Sequence, residues 1–486
     1  MDWERLLTSK TQIPRETGPS SWAAYPVDDF EKDYREIISS EMFRNLQNKT
    51  QLFPLVRGGA FRTRLTHSLE VSSISRQLGA MIACNQKTEK NGVDFGDKTE
   101  LYARRFSGIL SAAGLLHDLG NPPFGHFGES SIGDWFRRSF ERDTFTFFEK
   151  PVREVLTEQM KQDLTNFEGN AQALRFLLKA ARCPGRGEIN VTFATINTLV
   201  KYPVASTQSD RKSSDVRVHK FGYFLADKEK FEEIRQEAGI EGHARYPLTY
   251  LLEAADDIAY LISDMEDSVQ RKLFSVDTVV TFFEKELKEI PESGSEFHEL
   301  SRMATSGILN NLKKRLKDKY EEESRRYAFF GWLEYVKNWL IYAAAFAFFN
   351  HYTQIMDGTY QRELLDDGWY VFTTGIFRKI MKTYTYPYRE RLELELSGQE
   401  IISSLLGKFI PAVLYWDTGA EEERMGRVEK NYLLYIPEKC REDYQRSRTG
   451  DRAFDLYLRF LMVVDYISSM TDTEAKATYQ SLQGFW

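Results

Sequence analysis

SAAGLLHDLGNPPFGHFGE, residues 111–129, begins as the end of an apolar helix and passes into a turn rich in Gly and Pro. His117 and Asp118 stand side by side where that helix stops. A helix C-terminus carries partial negative charge, which favours a cation there. Burying Asp118 without a partner would be costly. Gly120 is expected to cap the helix, and Pro122 to prevent its continuation. Pro123 and Gly125 then help to bring His126 back towards His117 and Asp118. His126 and Glu129 are three residues apart, so they share one face of a helix expected from about residue 128.

Upstream, RTRLTHSLE (62–70) places His67 at the start of a helix expected from Thr66 to Cys84. Its apolar positions Leu69, Val71, Ile74, Leu78, Met81 and Ile82 repeat close to a 3.6 period. A second helix, about 101–119, turns Phe106, Ile109, Leu110, Ala113 and Leu116 inward. The third buries Ile132, Trp135 and Phe136. Downstream, EAADDIAYLISDMED (253–267) belongs to a strong helix at about 247–270. Leu251, Leu252, Ala255, Ile258, Ala259, Ile262 and Met265 form its buried surface. Asp256, Tyr260 and Asp264 recur at i, i+4 and i+8, which stacks them along one stripe. Residues 85–100 read as a polar loop. Residues 150–200 and 276–350 are helical, and 203–228 leave room for a short hairpin around HKFGYF (219–224). The C-terminal third is mostly helical.

With 42% hydrophobic and 14% aromatic residues in 486, general disorder is excluded. The three cysteines, Cys84, Cys183 and Cys440, form no CxxC pair and cannot build a disulfide framework, so a reduced compartment is expected. The first residues, MDWERLLTSK, lack an apolar signal core. The longest uncharged apolar run, Trp339 to Phe349, is too short to span a bilayer. A soluble, cytoplasmic protein is the expectation. The net charge of −7 gives no general attraction to nucleic acid, but local basic clusters can still hold an anion.

Four residues suggest a metal centre: His67, His117, Asp118 and Asp256. Two imidazoles with two carboxylates suit Mn²⁺, Fe²⁺ or Ni²⁺, and hold Mg²⁺ less naturally. The order His…His-Asp…Asp is similar to the signature of the HD-domain phosphohydrolases. The strings RTRLTHS, HDLGNPPFGHFGE, FEGNAQ, EAADDIAY and DYISSMTD (465–472) resemble more narrowly the long form of the bacterial deoxyguanosine triphosphate triphosphohydrolases. The resemblance runs from about residue 25 to the C-terminus. It implies an all-α HD-domain fold with additional helices. The expected organisation is an N-terminal arm (1–28), an HD-type catalytic core (29–275) and a helical C-terminal region (276–486) completing the base pocket and subunit contacts.

The resemblance further implies hydrolysis of dGTP to deoxyguanosine and tripolyphosphate, controlling nucleotide pools, with one main divalent cation site taking Mg²⁺ or Mn²⁺. It assigns catalysis to His126 and Glu129. Arg62, Arg64, Lys201, Tyr202 and Lys220 are matched to triphosphate binding, and Asn170 to the pocket wall. Tyr260 lies against the sugar, leaving no room for a 2′-hydroxyl, while Asp264 and Gln51 read the 3′-hydroxyl. For the guanine, YTYPYRERLELELSG (384–398) offers Tyr384 as the stacking ring and Glu393 as the carboxylate. The family's guanine-binding arginine has no clear match; Lys430, Asn431 and Arg441 are the residues near its position. The resemblance also implies a homo-oligomer, often a hexamer, and single-stranded DNA as an effector in some members. Two alternatives stand beside this reading. One is a triphosphohydrolase acting on several dNTPs. The other is a nucleotide- or DNA-binding regulator whose HD site only senses, against which the His126–Glu129 pair argues.

Overall fold

A computed structural model describes residues 1–15, 28–52, 62–84, 95–179, 189–290 and 296–484. Cys183, residues 16–27 of the expected arm and residues 85–94 of the expected polar loop therefore lie outside the described residues. The architecture is all-α, as expected. Among the described residues the strands are Thr146–Phe147 and Lys150–Pro151, paired antiparallel with Thr146 opposite Pro151. This hairpin replaces the one expected at 219–224, where the chain instead makes short 3₁₀ turns at Val216–Val218 and Leu225–Asp227. Its connecting residues, Phe148 and Glu149, both have positive φ (46° and 68°), which is the demand of a tight two-residue hairpin turn.

The helices that build the site are α1 (Arg64–Cys84), α2 (Thr99–Leu116), α3 (His126–Phe140), α4 (Gly169–Leu178) and α5 (Pro247–Gln270). Helix α5 matches its expected span and buried surface, and Pro247 occupies its first turn, where a missing N–H costs nothing. Helix α1 differs from expectation on one point: Leu69 is 43% exposed. The inward face is drawn instead by His67, Ser68, Val71, Ser72, Ile74, Ser75 and Leu78. Leu69 is two residues from His67, about 200° around the helix. The small serines let α1 lie close against α2, and Ser72 Oγ donates to the Ser111 carbonyl at 2.8 Å.

Helix α2 ends at Leu116, and His117 to Gly120 form turns. Gly120 is not in the left-handed region, so it is not the expected helix cap. Its reason is close approach. A Cβ there would lie 2.1 Å from the Gly169 carbonyl oxygen and 2.1 Å from the Ala173 nitrogen. The start of α4 therefore packs directly on the turn that carries His117 and Asp118.

Two hydrophobic cores result. The first joins α1, α2 and α5 to α6 (Glu322–Asn350) and α7 (Val371–Ile380), so helices on both sides of residue 275 share it. The second joins the inner face of α3 to α8 (Arg389–Leu414) and α9 (Arg452–Ser469). In α6, Phe329, Trp332 and Val336 are fully buried, while Trp339, Tyr342 and Phe346 are at least 40% exposed. No described helix is long and apolar enough to cross a membrane.

Candidate active site and metal centre

A cavity of about 530 Å³ opens where the two cores meet. Helix α1 supplies His67 from its first turns, and the end of α2 supplies His117 and Asp118. Helix α5 supplies Asp256 from its middle. His67 Nε2 lies 3.0 Å from Asp256 Oδ1, and His117 Nε2 lies 3.5 Å from the same oxygen and 3.7 Å from Asp118 Oδ2. One ligand atom each from His67, His117 and Asp118 falls within 4.8 Å of the others.

Three observations fit this cluster to a divalent cation. His117 Nδ1 is 2.8 Å from the Gly114 carbonyl, so Nδ1 carries the proton and Nε2 presents a lone pair. That Nε2 is buried and, among the described residues, has no hydrogen-bond partner. The carboxylates are held ionised despite burial, which by itself would raise both. Arg64, His117 and His67 bring Asp118 below the usual range. His117 and the His67 hydrogen bond do the same for Asp256.

Beside this cluster, His126 Nδ1 meets Glu129 Oε2 at 2.8 Å, and Glu129 Oε1 accepts the Gly169 N–H at 2.9 Å. Burial would raise Glu129, yet the His126 charge and hydrogen bond, Lys220 and the Gly169 N–H together draw it down to about 2. The Glu129 charge, followed by their hydrogen bond, raises His126 above its ordinary value. The carboxylate is 9% exposed and the imidazole 79%, so a rigid buried group orients a ring that faces the cavity.

Gln51, Arg64, Asn170, Lys201, Tyr202, Lys220, Tyr260 and Asp264 line the same cavity. Each cation already has an acidic partner. Arg64 donates to Asp118 Oδ2 at 2.7 Å, Lys220 pairs with Glu168 at 2.6 Å, and Lys201 pairs with Glu253. Asn170 Nδ2 donates to Glu168 Oε1 at 2.7 Å, so one buried carboxylate places both Asn170 and Lys220. Burial pushes Asp264 up to about 7, with Asp267 adding to the rise. Gln51 Oε1 is buried with no hydrogen-bond partner among the described residues.

Three expected residues are elsewhere. Arg62 spends its nitrogens on Glu70, Glu266 and Asp267, tying α1 to α5. Tyr384 packs against Phe274 and Phe282. Glu393 pairs on the surface with Arg389, one helical turn away. Lys430, Asn431 and Arg441 are also absent from the cavity wall.

From the same segment, Tyr386 and Arg391 line the cavity. The Arg391 guanidinium lies 4.7 Å from the Phe127 ring centre and 5.2 Å from that of Tyr386. It also donates to the Tyr386 carbonyl at 2.9 Å. Sequence reasoning missed these two, and also Glu168 and Glu253. The signals for the acids were present: Glu168 adjoins Gly169-Asn170, and Glu253 precedes Asp257 by one helical turn.

An HD-domain family model matches residues 64–180, a span that holds His67, His117, Asp118, His126 and Glu129. Over the full length of both chains, the sequence is 39% identical to a Listeria innocua protein named deoxyguanosinetriphosphate triphosphohydrolase-like. A Listeria monocytogenes protein of the same name is also 39% identical over the full length. A deoxyguanosinetriphosphate triphosphohydrolase of Yersinia enterocolitica is 31% identical over 93% of each chain.

Proposed function

The chain belongs to the deoxyguanosinetriphosphate triphosphohydrolase family of HD-domain proteins, and from that premise we propose that it hydrolyses dGTP to deoxyguanosine and tripolyphosphate. One observation carries the reading: the His67–His117–Asp118–Asp256 cluster and the His126–Glu129 pair share one cavity with Lys201, Tyr202, Lys220 and Asn170. His67, His117, Asp118 and Asp256 would hold a divalent cation, Mn²⁺ or Mg²⁺. When bound, such a cation supplies Lewis-acid polarisation of a phosphate and lowers the pKa of a coordinated water.

The remaining chemistry belongs to the chain itself. Lys201 and Lys220 exchange their carboxylate partners for phosphate oxygens, and Tyr202 and Asn170 add hydrogen bonds. A water oxygen bonds to the α-phosphorus as the bond to the 5′-oxygen breaks, leaving the water's oxygen and one proton on the tripolyphosphate and expelling a poor alkoxide. His126, kept charged by Glu129, protonates that oxygen from Nε2. Glu129 stays ionised throughout, because the Gly169 N–H also stabilises it. Tyr260 fills the space of a 2′-hydroxyl. Gln51 Oε1 accepts the 3′-hydroxyl, beside Asp264.

Arg391 and Tyr386 lie near Asp264 and are assigned to the base, Arg391 donating to guanine O6 and N7. No carboxylate of α8 lines the cavity. That favours a second reading in which several dNTPs are accepted. The same proposal includes a homo-oligomer, a hexamer by resemblance, with single-stranded DNA as an effector; sedimentation with and without an oligonucleotide tests both.

Product analysis with the four dNTPs and GTP, with Mn²⁺ or Mg²⁺, tests the activity. Tripolyphosphate from dGTP supports it, and equal rates on all dNTPs select the broader reading. Pyrophosphate with a nucleoside monophosphate would refute both.

A further inference from the structure

Two residues before His126, Phe124 has φ 64°, and Gly125 follows at 59°. Glycine enters this left-handed region freely, but a phenylalanine rarely does, because its Cβ crowds the backbone. Such a conformation persists only where the surroundings over-determine it. Here the C-terminal region does so at two points more than 270 residues downstream.

The first point is Asp472, at the start of the last described helix (Asp472–Leu482). Its Oδ1 accepts the Phe124 N–H at 2.9 Å. Its Oδ2 accepts the Thr50 N–H at 3.0 Å and also the Thr50 hydroxyl. One buried carboxylate therefore holds both the turn before His126 and the segment carrying Gln51. The second point is Gly398 on α8. A Cβ there would lie 2.8 Å from Phe124 Cγ and 2.9 Å from its Cβ. The Cβ of Phe124 is fixed to its backbone, so no rotation of the ring relieves that contact.

Lys49 adds a third tie from the same side. It is 3% exposed, and its Nζ donates to the Asn121 carbonyl at 2.6 Å and the Ser468 carbonyl at 2.8 Å. The loop between Asp118 and His126 is thus clamped against the C-terminal helices at both ends.

We propose that Gly398 and Asp472 are positioning residues for the reaction: they hold Phe124 left-handed and so set the direction of the His126 imidazole. The inference rests on His126 as the proton donor. It gives α8 and the last helix a role in turnover and not only in folding. Displacing a proton donor by about 1 Å can cost on the order of 100-fold in rate. Metal binding is carried by residues outside the displaced turn and is unaffected.

The test is a double-mutant cycle read in kcat, KM and metal content. Gly398→Ala is expected to lower kcat about 10-fold or more, with KM and bound Mn²⁺ near wild type. Phe124→Gly removes the ring that a residue-398 methyl would strike and accepts positive φ without help. In that background Gly398→Ala is expected to cost about 2-fold or less. Asp472→Asn turns an amide donor towards the N–H of Phe124 or Thr50, and its loss should also shrink in the Phe124→Gly background. It serves where Gly398→Ala does not fold. Equal losses in both backgrounds, or a wild-type kcat in Gly398→Ala, would overturn the proposal. His126→Ala separates the two layers. If it retains full activity, the role of His126 falls; if it is inactive while Gly398→Ala and Asp472→Asn are not, only the positioning falls.

Discussion

Arg64 holds Asp118 through a 2.7 Å contact, with side-chain exposures of 5% and 12%. Replacing Arg64 by Met keeps most of the stem and removes the charge. Breaking a buried ion pair from one side costs about 3–5 kcal/mol, because the other charge stays buried and uncompensated. Asp118 keeps the Asn121 amide and lies 3.7 Å from His117 Nε2, which places the cost near the low end, about 3 kcal/mol. Unfolding entropy of about 2.1 cal/mol/K per residue gives about 1 kcal/mol/K for 486 residues, so the melting temperature should fall by about 3 °C. The assay is scanning calorimetry on chelator-stripped protein and on protein saturated with Mn²⁺. If Asp118 is a metal ligand, the bound cation replaces the lost guanidinium charge, and the deficit shrinks in the Mn²⁺ sample. An equal deficit in both samples would remove Asp118 from the metal centre. No deficit in either would show that the buried pair contributes nothing to stability.

Other perturbations test the remaining assignments. Asp256→Ala should abolish activity and lower bound metal, measured by elemental analysis; full metal occupancy would sink the four-residue cluster. Glu129 is drawn from its usual 4.5 down to about 2, so between those values the unfolded chain holds more protons there than the folded one. Its contribution is complete above about pH 4.5 and is lost as pH falls towards 2. Glu129→Gln should flatten the pH dependence of the urea midpoint across that window, and an unchanged slope would contradict the pairing. Tyr260→Ala should raise kcat/KM for GTP relative to dGTP, and Asp264→Ala should narrow discrimination against a 2′,3′-dideoxy substrate. If both ratios stay unchanged, the α5 stripe does not face the sugar.

The parts of this protein that could be read from the chain are those whose physics is local. Helical period placed α5 and its buried residues, and it aligned Asp256, Tyr260 and Asp264 along one cavity wall. The i, i+3 spacing brought His126 to Glu129. The His-Asp pair at the end of α2, together with the resemblance, singled out His67 and Asp256 as its companions. Their Nε2–Oδ1 distance of 3.0 Å spans a separation of 189 residues.

Where the outcome depended on packing between distant segments, pattern was silent or pointed the wrong way. Leu69 is apolar and roughly in period, yet faces outward because the serines beside His67 allow α2 closer. Gly120 looked like a cap and is instead a seat for α4. Between α7 and α8 the chain makes a π-helical turn at Met381–Thr385. The chain then leaves the helix at Tyr386, and α8 begins only at Arg389, so no helical period can be carried from one to the other. Tyr386 and Arg391 reach the cavity, while Tyr384 and Glu393 do not. Arg62 and Arg64 are two residues apart, yet one ties helices together and the other meets Asp118 in the cavity wall. A residue's type and spacing specify which bonds it can make; which partner arrives to make them is set by helices folding back from hundreds of residues away, as Asp472 does for Phe124.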